Sequence, residues 1–262
     1  MSTFRLPIHP ETESGPRLAV RLDRAEKPRH RRLCVLYCHG FASSQGGDKA
    51  DFFRQRFLHA GLSVCSFDFR GHGESGGSMR DLSLTRCLED VEAVHRHLRR
   101  EGSFEQILLF GSSMGGGVAF WYASRHPESV ACAVAIAPAL EMHEGLLRRL
   151  GPEKAQEWRE KGSILFEHEL GGYELSWNLI KDLRGYSRSR LAKAYGTPSL
   201  IFQGVLDESV SWRAVADFVA GTDAKVHMHL MADGDHRLID RLPFLWRMLS
   251  SFLAAEGVLA NS

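Results

Sequence analysis

No stretch of the chain comes near the roughly 18 consecutive apolar residues that a membrane-spanning helix needs, so no membrane span is expected. Net charge is also nearly absent. The 33 Lys+Arg against 32 Asp+Glu leave a formal +1, which excludes a nucleic-acid or membrane-surface role built on bulk charge. There is no internal repeat and no low-complexity tract. The opening MSTFRLPIHPETESGPR lacks an apolar run between a basic start and a small-residue cleavage site, so a secretory signal is not expected. No His-Glu-x-x-His, paired Cys-x-x-Cys or Gly-x-x-x-x-Gly-Lys-Ser/Thr string occurs, so neither a catalytic metal nor a phosphate-cradling loop is expected. Cysteines are few and odd in number, five in all. Cys34, Cys38, Cys65 and Cys132 sit inside apolar runs and read as small buried hydrophobes. Cys34 and Cys38 share one predicted strand and lie too far apart along it to bridge. Unpaired thiols imply a reducing compartment, and a cytoplasmic location is expected.

What the sequence does have is 262 residues, 44% of them apolar, enough for one or two domains with a full core. Short apolar runs alternate with longer amphipathic ones. Strands are predicted at residues 33–38, 62–68, 106–110, 130–137, 198–204 and 225–231. Helices are predicted at 48–61, 83–100, 114–126, 212–220 and 240–255. In 83–100, Leu84, Leu88, Val91, Val94 and Leu98 recur at three-to-four spacing and form one apolar stripe. Near-continuous apolar strands separated by helices imply a parallel sheet covered on both faces. Ligands of such sheets bind beyond the carboxyl ends of the strands, so the informative residues should follow each strand. One segment breaks the alternation. Residues 139–196 are too long for a single crossover helix, and they carry Gly151-Pro152 and Gly171-Gly172. They read as an inserted cap, with residues 1–138 and 197–262 as the core.

The string Gly-x-Ser-x-Gly occurs twice, as Gly111-Ser-Ser113-Met-Gly115 and as Gly73-Glu-Ser75-Gly-Gly77. A nucleophile elbow needs a strand, a sharp turn and then a helix. QILLF-GSSMG-GGVAFWYASRH supplies all three. The second copy leads into SMRDLSL with no helix starting at Ser75, which reads as a turn residue. Ser113 is therefore the candidate nucleophile. A serine hydroxyl needs a base, and the base needs an acid to fix its tautomer. Of the 13 histidines, His236 lies on a loop just past a strand. His227 and His229 alternate within a strand, His126 ends a helix, and His95 and His97 are placed on a polar helix face. Asp207 follows IFQG and is the candidate acid, with adjacent Glu208 as competitor. Asp217 and Asp223 fall at the wrong end of the sheet, and Asp235 is too close in sequence to reach the His236 ring. The loop Cys38-His39-Gly40-Phe41-Ala42 also follows a strand. There Gly40 lets the Phe41 amide turn toward an oxyanion, the Met114 amide is the second donor, and His39 organises the loop.

These strings together resemble the α/β-hydrolase superfamily from about Leu33 to the carboxyl terminus. FDFRGHGESGG is similar to the post-strand turn of the serine aminopeptidase-like and monoglyceride-lipase-like branch. HGFASSQGGDKADFF and DGDHRL resemble bacterial carboxylesterases and mitochondrial depalmitoylating thioesterases. The loop HGF, in place of HGGG, sets the chain apart from the hormone-sensitive-lipase type. The resemblance implies an eight-stranded, mostly parallel sheet, a cap between the sixth and seventh strands, and no cofactor. The expected activity is hydrolysis of a small acyl ester or thioester through an acyl-enzyme on Ser113, with Asp207 and His236. Part of the apolar cap surface, which includes Trp158, Phe166, Tyr173 and Trp177, is expected to line an acyl pocket, while at least half of its apolar residues pack onto the body. Two other readings are carried. An aminopeptidase or amidase would bind a substrate ammonium through Glu141, Glu144, Glu167 or Glu169, and a small-molecule receptor on the same scaffold would not turn over. A homodimer is compatible with the sequence and not fixed by it.

Overall fold

The computed structural model describes residues 1–9, 15–100, 104–168 and 171–259. Eight strands form one sheet: β1 (Ser2–Pro7), β2 (Arg17–Asp23), β3 (Leu33–Cys38), β4 (Ser63–Phe67), β5 (Gln106–Ser112), β6 (Val130–Ile136), and two that follow residue 196. A hairpin of β7 (Ser163–His168) and β8 (Gly171–Ser176) stands apart, and the last two sheet strands are β9 (Ser199–Gly204) and β10 (Val226–Met231). The sheet order is β1-β2-β4-β3-β5-β6-β9-β10. β2 runs antiparallel to both its neighbours, and every other pairing is parallel.

The helices are α1 (Asp48–His59), α2 (Leu84–Arg100), α3 (Met114–Arg125), α4 (Met142–Lys161), α5 (Asn178–Leu183), α6 (Arg188–Ala194), α7 (Trp212–Ala220) and α8 (Leu242–Ala255). Strand side chains alternate between faces, which divides the core in two. Leu36 and Leu109 face α2, α3 and α7 with Val91, Val118 and Phe218. Val35 and Leu108 face α1 and α8 with Phe53, Phe57 and Leu249. The six strands and five helices expected from the sequence are present, with ends shifted by a residue or two. The apolar pattern did not locate β1 and β2, although the resemblance implied eight strands. They add the antiparallel edge, and Asp68 N–H donates to Ala19 O (3.0 Å) where that edge meets the end of β4.

The segment between β6 and β9 carries α4, the hairpin, α5 and α6. α4 is two helices joined at Gly151, whose φ of 76° only glycine adopts without strain, with Pro152 starting the second half. All five cysteines are buried and unpaired. Among the described residues, no helix is long and apolar enough to cross a membrane.

Candidate active site

The turn from β5 into α3 is where backbone strain concentrates. Ser113 has φ 53° and ψ −119°, a conformation rare for a side chain other than glycine. Its neighbours explain how the strain is held. A Cβ on Gly111 would stand 2.5 Å from Gly115 O, and one on Gly115 would overlap the Cys38 carbonyl. Two hydrogen bonds fix the turn to β6 and beyond, Ser113 N–H to Ile136 O (2.9 Å) and Ala139 N–H to Ser113 O (3.0 Å). Met114 opens α3, so its N–H is among those with no partner inside the helix. Gly40 lies against the same turn, where an added Cβ would sit 3.4 Å from Ser113 Cβ. The loop that bears Phe41 is thereby pressed against the serine.

The loops after β9 and β10 are zipped together. Val205 N–H donates to Met231 O and Leu206 N–H to Gly234 O, both at 2.9 Å. A side chain on Gly204 would overlap the Gly234 carbonyl. This contact brings two sequence-distant side chains within reach. His236 Nδ1–H donates to Asp207 Oδ2 at 2.8 Å, and its Nε2 stands 3.1 Å from Ser113 Oγ. With Nδ1 carrying the proton, Nε2 is left to accept from the serine hydroxyl. Ser113, His236 and Asp207 are thus one hydrogen-bonded run at the carboxyl ends of β5, β10 and β9. Asp235 serves the loop instead: its Oδ1 accepts from Arg237 N–H (3.0 Å) and Leu238 N–H (2.7 Å).

Asp207 is buried and fully engaged. Oδ1 accepts from the Ser209 and Val210 amides, both at 2.8 Å, and Oδ2 accepts from Gln203 Nε2 at 2.9 Å as well as from His236. Burial alone would push its carboxyl up. The hydrogen bond and charge of His236, with the Val210 amide and Gln203, outweigh that and hold it below the ordinary carboxylate range. Glu208 is exposed. The sequence reading missed Gln203, a buried polar residue near the end of a mostly apolar strand.

His39 is buried, with Nδ1–H donating to Gly40 O (2.7 Å) and Nε2 accepting from Phe69 N–H (3.0 Å). Burial, reinforced by His72, pushes its pKa down to about 3, so it stays neutral and shapes the loop. Ser75 accepts from Ala19 N–H and donates to Asp68 O, and so holds its turn against β2. Arg70 in the same turn is locked to buried Asp90 of α2 at 2.7 Å. His95 departs from its expected place: it is buried, and its Nδ1 lies 2.9 Å from Tyr122 OH.

The aromatic residues between β6 and β9 divide into two groups. Trp158 and Trp177 pack edge to face at 5.3 Å, and buried Trp158 donates Nε1–H to Leu175 O (2.9 Å). They make the segment's own core, the packing role expected for at least half of its apolar residues. Phe166 and Tyr173 are cross-strand partners on the hairpin, and their rings lie 5.6 Å and 5.9 Å from that of Phe41. Of the carboxylates weighed for an ammonium, Glu141 pairs with Arg188, Glu144 stands by His143, Glu167 is exposed, and Glu169 lies outside the described residues.

The family described as serine aminopeptidase, S33, matches residues 29–168, just over half of the chain. The chain belongs to this S33 family. The matched stretch includes Ser113 and ends before Asp207 and His236. Monoacylglycerol lipase of Mycolicibacterium smegmatis is 36% identical over 118 residues, 44% of this chain and 41% of the lipase. The mitochondrial palmitoyl-protein thioesterase ABHD10 of Bos taurus is 27% identical over 213 residues, 79% of this chain and 68% of the thioesterase. The chain therefore spans less than half of the lipase's length and about two thirds of the thioesterase's. The solved structure of mouse alpha/beta hydrolase domain-containing protein 10 superposes with a TM-score of 0.81 at 21% identity, covering 97% of this chain and 99% of that one. That likeness shows the α/β-hydrolase fold, with its mostly parallel eight-stranded sheet.

Proposed function

We propose that this S33-family chain is a serine hydrolase that cleaves a carboxylic ester or thioester through an acyl-enzyme. The observation that carries the reading is the hydrogen-bonded run from Ser113 through His236 to Asp207. His236 Nε2 takes the Ser113 proton as Oγ attacks the acyl carbon. The carbonyl oxygen becomes an oxyanion held by the Phe41 and Met114 amides. Collapse expels the alcohol or thiol, which receives its proton from His236, and leaves an acyl-Ser113 ester. Water, deprotonated by His236, then adds to that ester. A second tetrahedral species releases the carboxylic acid and returns the proton to Ser113. Asp207 stays ionised throughout and holds the Nδ1–H tautomer.

Residues 139–196 act as the cap over this site. Phe166 and Tyr173 stand against Phe41 and form the wall that meets the acyl group. The names of the lipase and thioesterase relatives accord with an acyl substrate. The aminopeptidase reading is weaker because Glu141, the cap carboxylate nearest the end of β6, is already paired with Arg188.

Ser113→Ala, assayed with a p-nitrophenyl ester and a fluorophosphonate probe, tests the reading. Turnover should fall by several orders of magnitude and labelling should vanish. Turnover equal to that of the unmodified protein ends the proposal. Tight ligand binding without turnover would favour a receptor.

A further inference from the structure

Lys49 is a cation in an unusual place. It stands in the first turn of α1, where the helix dipole disfavours positive charge. Its ammonium reaches across to the end of β5 and donates to Ser112 Oγ at 3.1 Å. Among the described residues this is the one hydrogen bond it makes, and no carboxylate lies within ion-pair distance. Ser112 immediately precedes the strained serine, and its own side chain is buried beneath the turn. A helix that spends a long side chain and a partly buried charge on a neutral hydroxyl gains little stability from it. The contact falls one residue from the group that needs positional accuracy.

We propose that Lys49 is a positioning residue that clamps Ser112 and thereby sets the turn on which Ser113 faces His236. The inference rests on the serine-hydrolase reading. The clamp joins α1, and with it the loop bearing Phe41, to the strand bearing Ser113. One side chain thus fixes the oxyanion loop and the nucleophile relative to each other. The charged groups facing the ammonium are Asp207 from the loop after β9 and Asp235 and Arg237 from the loop after β10. Burial, with Arg237, lowers its pKa to about 8 against the pull of the two aspartates. The clamp is therefore charge-assisted below that pH and weaker above it.

The test compares Lys49→Met, Ser112→Ala, the double variant and Lys49→Arg on a p-nitrophenyl ester, with melting temperatures alongside. Misplacement by about 1 Å can cost roughly a hundredfold, and a loosened turn should cost about tenfold in kcat with KM little changed. Because both residues act through one contact, the double variant should be no worse than the worse single variant. Lys49→Arg should recover most of the loss. In the unmodified protein kcat should decline as pH rises through about 8, and this decline should be missing in Ser112→Ala. Lys49→Met activity within twofold of the unmodified protein, or fully additive losses, overturns the proposal. If Lys49→Met does not fold, the pH profiles of the unmodified protein and Ser112→Ala decide alone, and identical profiles overturn it. Ser113→Ala in the same series separates the two proposals. If Ser113→Ala is inactive while the clamp variants are normal, only the clamp fails. If Ser113→Ala is active, the hydrolase reading fails.

Discussion

Asp207→Asn isolates the tautomer from the fold. Oδ1 of Asp207 accepts two backbone amides, from Ser209 and Val210, and these donors cannot turn away. An asparagine here must keep its carbonyl oxygen on them, which directs its NH2 at His236 Nδ1 and at Gln203. Gln203 adapts only at a cost: its Nε2 also donates to Gly204 O (3.2 Å) and Val210 O (3.4 Å), so flipping the amide to accept from the new NH2 gives up both contacts. His236 can accept that NH2 only by moving its proton to Nε2, the nitrogen that must receive the Ser113 proton. With the two contacts of Gln203 given up, stability should fall by about 1–3 kcal/mol, well short of unfolding the protein. The catalytic loss from a wrong tautomer is about ten-thousandfold, or about 5.5 kcal/mol of transition-state stabilisation. The assay is kcat on a p-nitrophenyl ester at pH 7.5, with the melting temperature as control and exposed Glu208→Gln as comparison. Asp207→Asn keeping more than a tenth of normal kcat would refute the argument, as would Glu208→Gln showing the larger loss.

Gly115→Ala should destabilise the protein by about 3 kcal/mol, measured by urea unfolding, because the new methyl overlaps the Cys38 carbonyl, which belongs to the sheet backbone. Trp158→Ala should cost about 3–5 kcal/mol and leave chain-length preference unchanged, whereas Phe166→Leu should shift that preference across a series of p-nitrophenyl esters. Stability should also fall on the acid side. Asp207 has a folded pKa below its ordinary value of 3.8, so its contribution is full above about pH 4 and is lost as pH falls through the lower folded value. Asp207→Asn should therefore blunt the drop in melting temperature between pH 4.5 and pH 2.5.

The parallel core was readable because its strands are buried on both faces and therefore spelled as unbroken apolar runs, LCVLYC and QILLF among them. The same logic pointed to strand ends, and the serine, imidazole and carboxylate chosen there are in hydrogen-bond contact. β1 and β2 escaped notice because β1 is short, its alternation of Thr3 and Arg5 with Phe4 and Leu6 spanning only four residues before Pro7 ends the strand. The hairpin was hidden as well. Its pairing of Phe166 with Tyr173 goes with packing against Phe41, which lies more than a hundred residues earlier. Trp158 and Trp177 could not be sorted from Phe166 and Tyr173 in advance, because size and hydrophobicity cannot distinguish a pocket wall from the core of an insertion. Lys49 did leave a signal, a cation in the first turn of a helix, but its meaning depends on Ser112 being within reach.

The central claim is covalent, and the most direct measurement is covalent too. Mixing excess protein with a p-nitrophenyl ester, quenching in acid during the burst and mapping peptides by mass should find the acyl group on Ser113. An acyl group on another side chain, or steady turnover with no trapped acyl-protein at any quench time, would contradict the account.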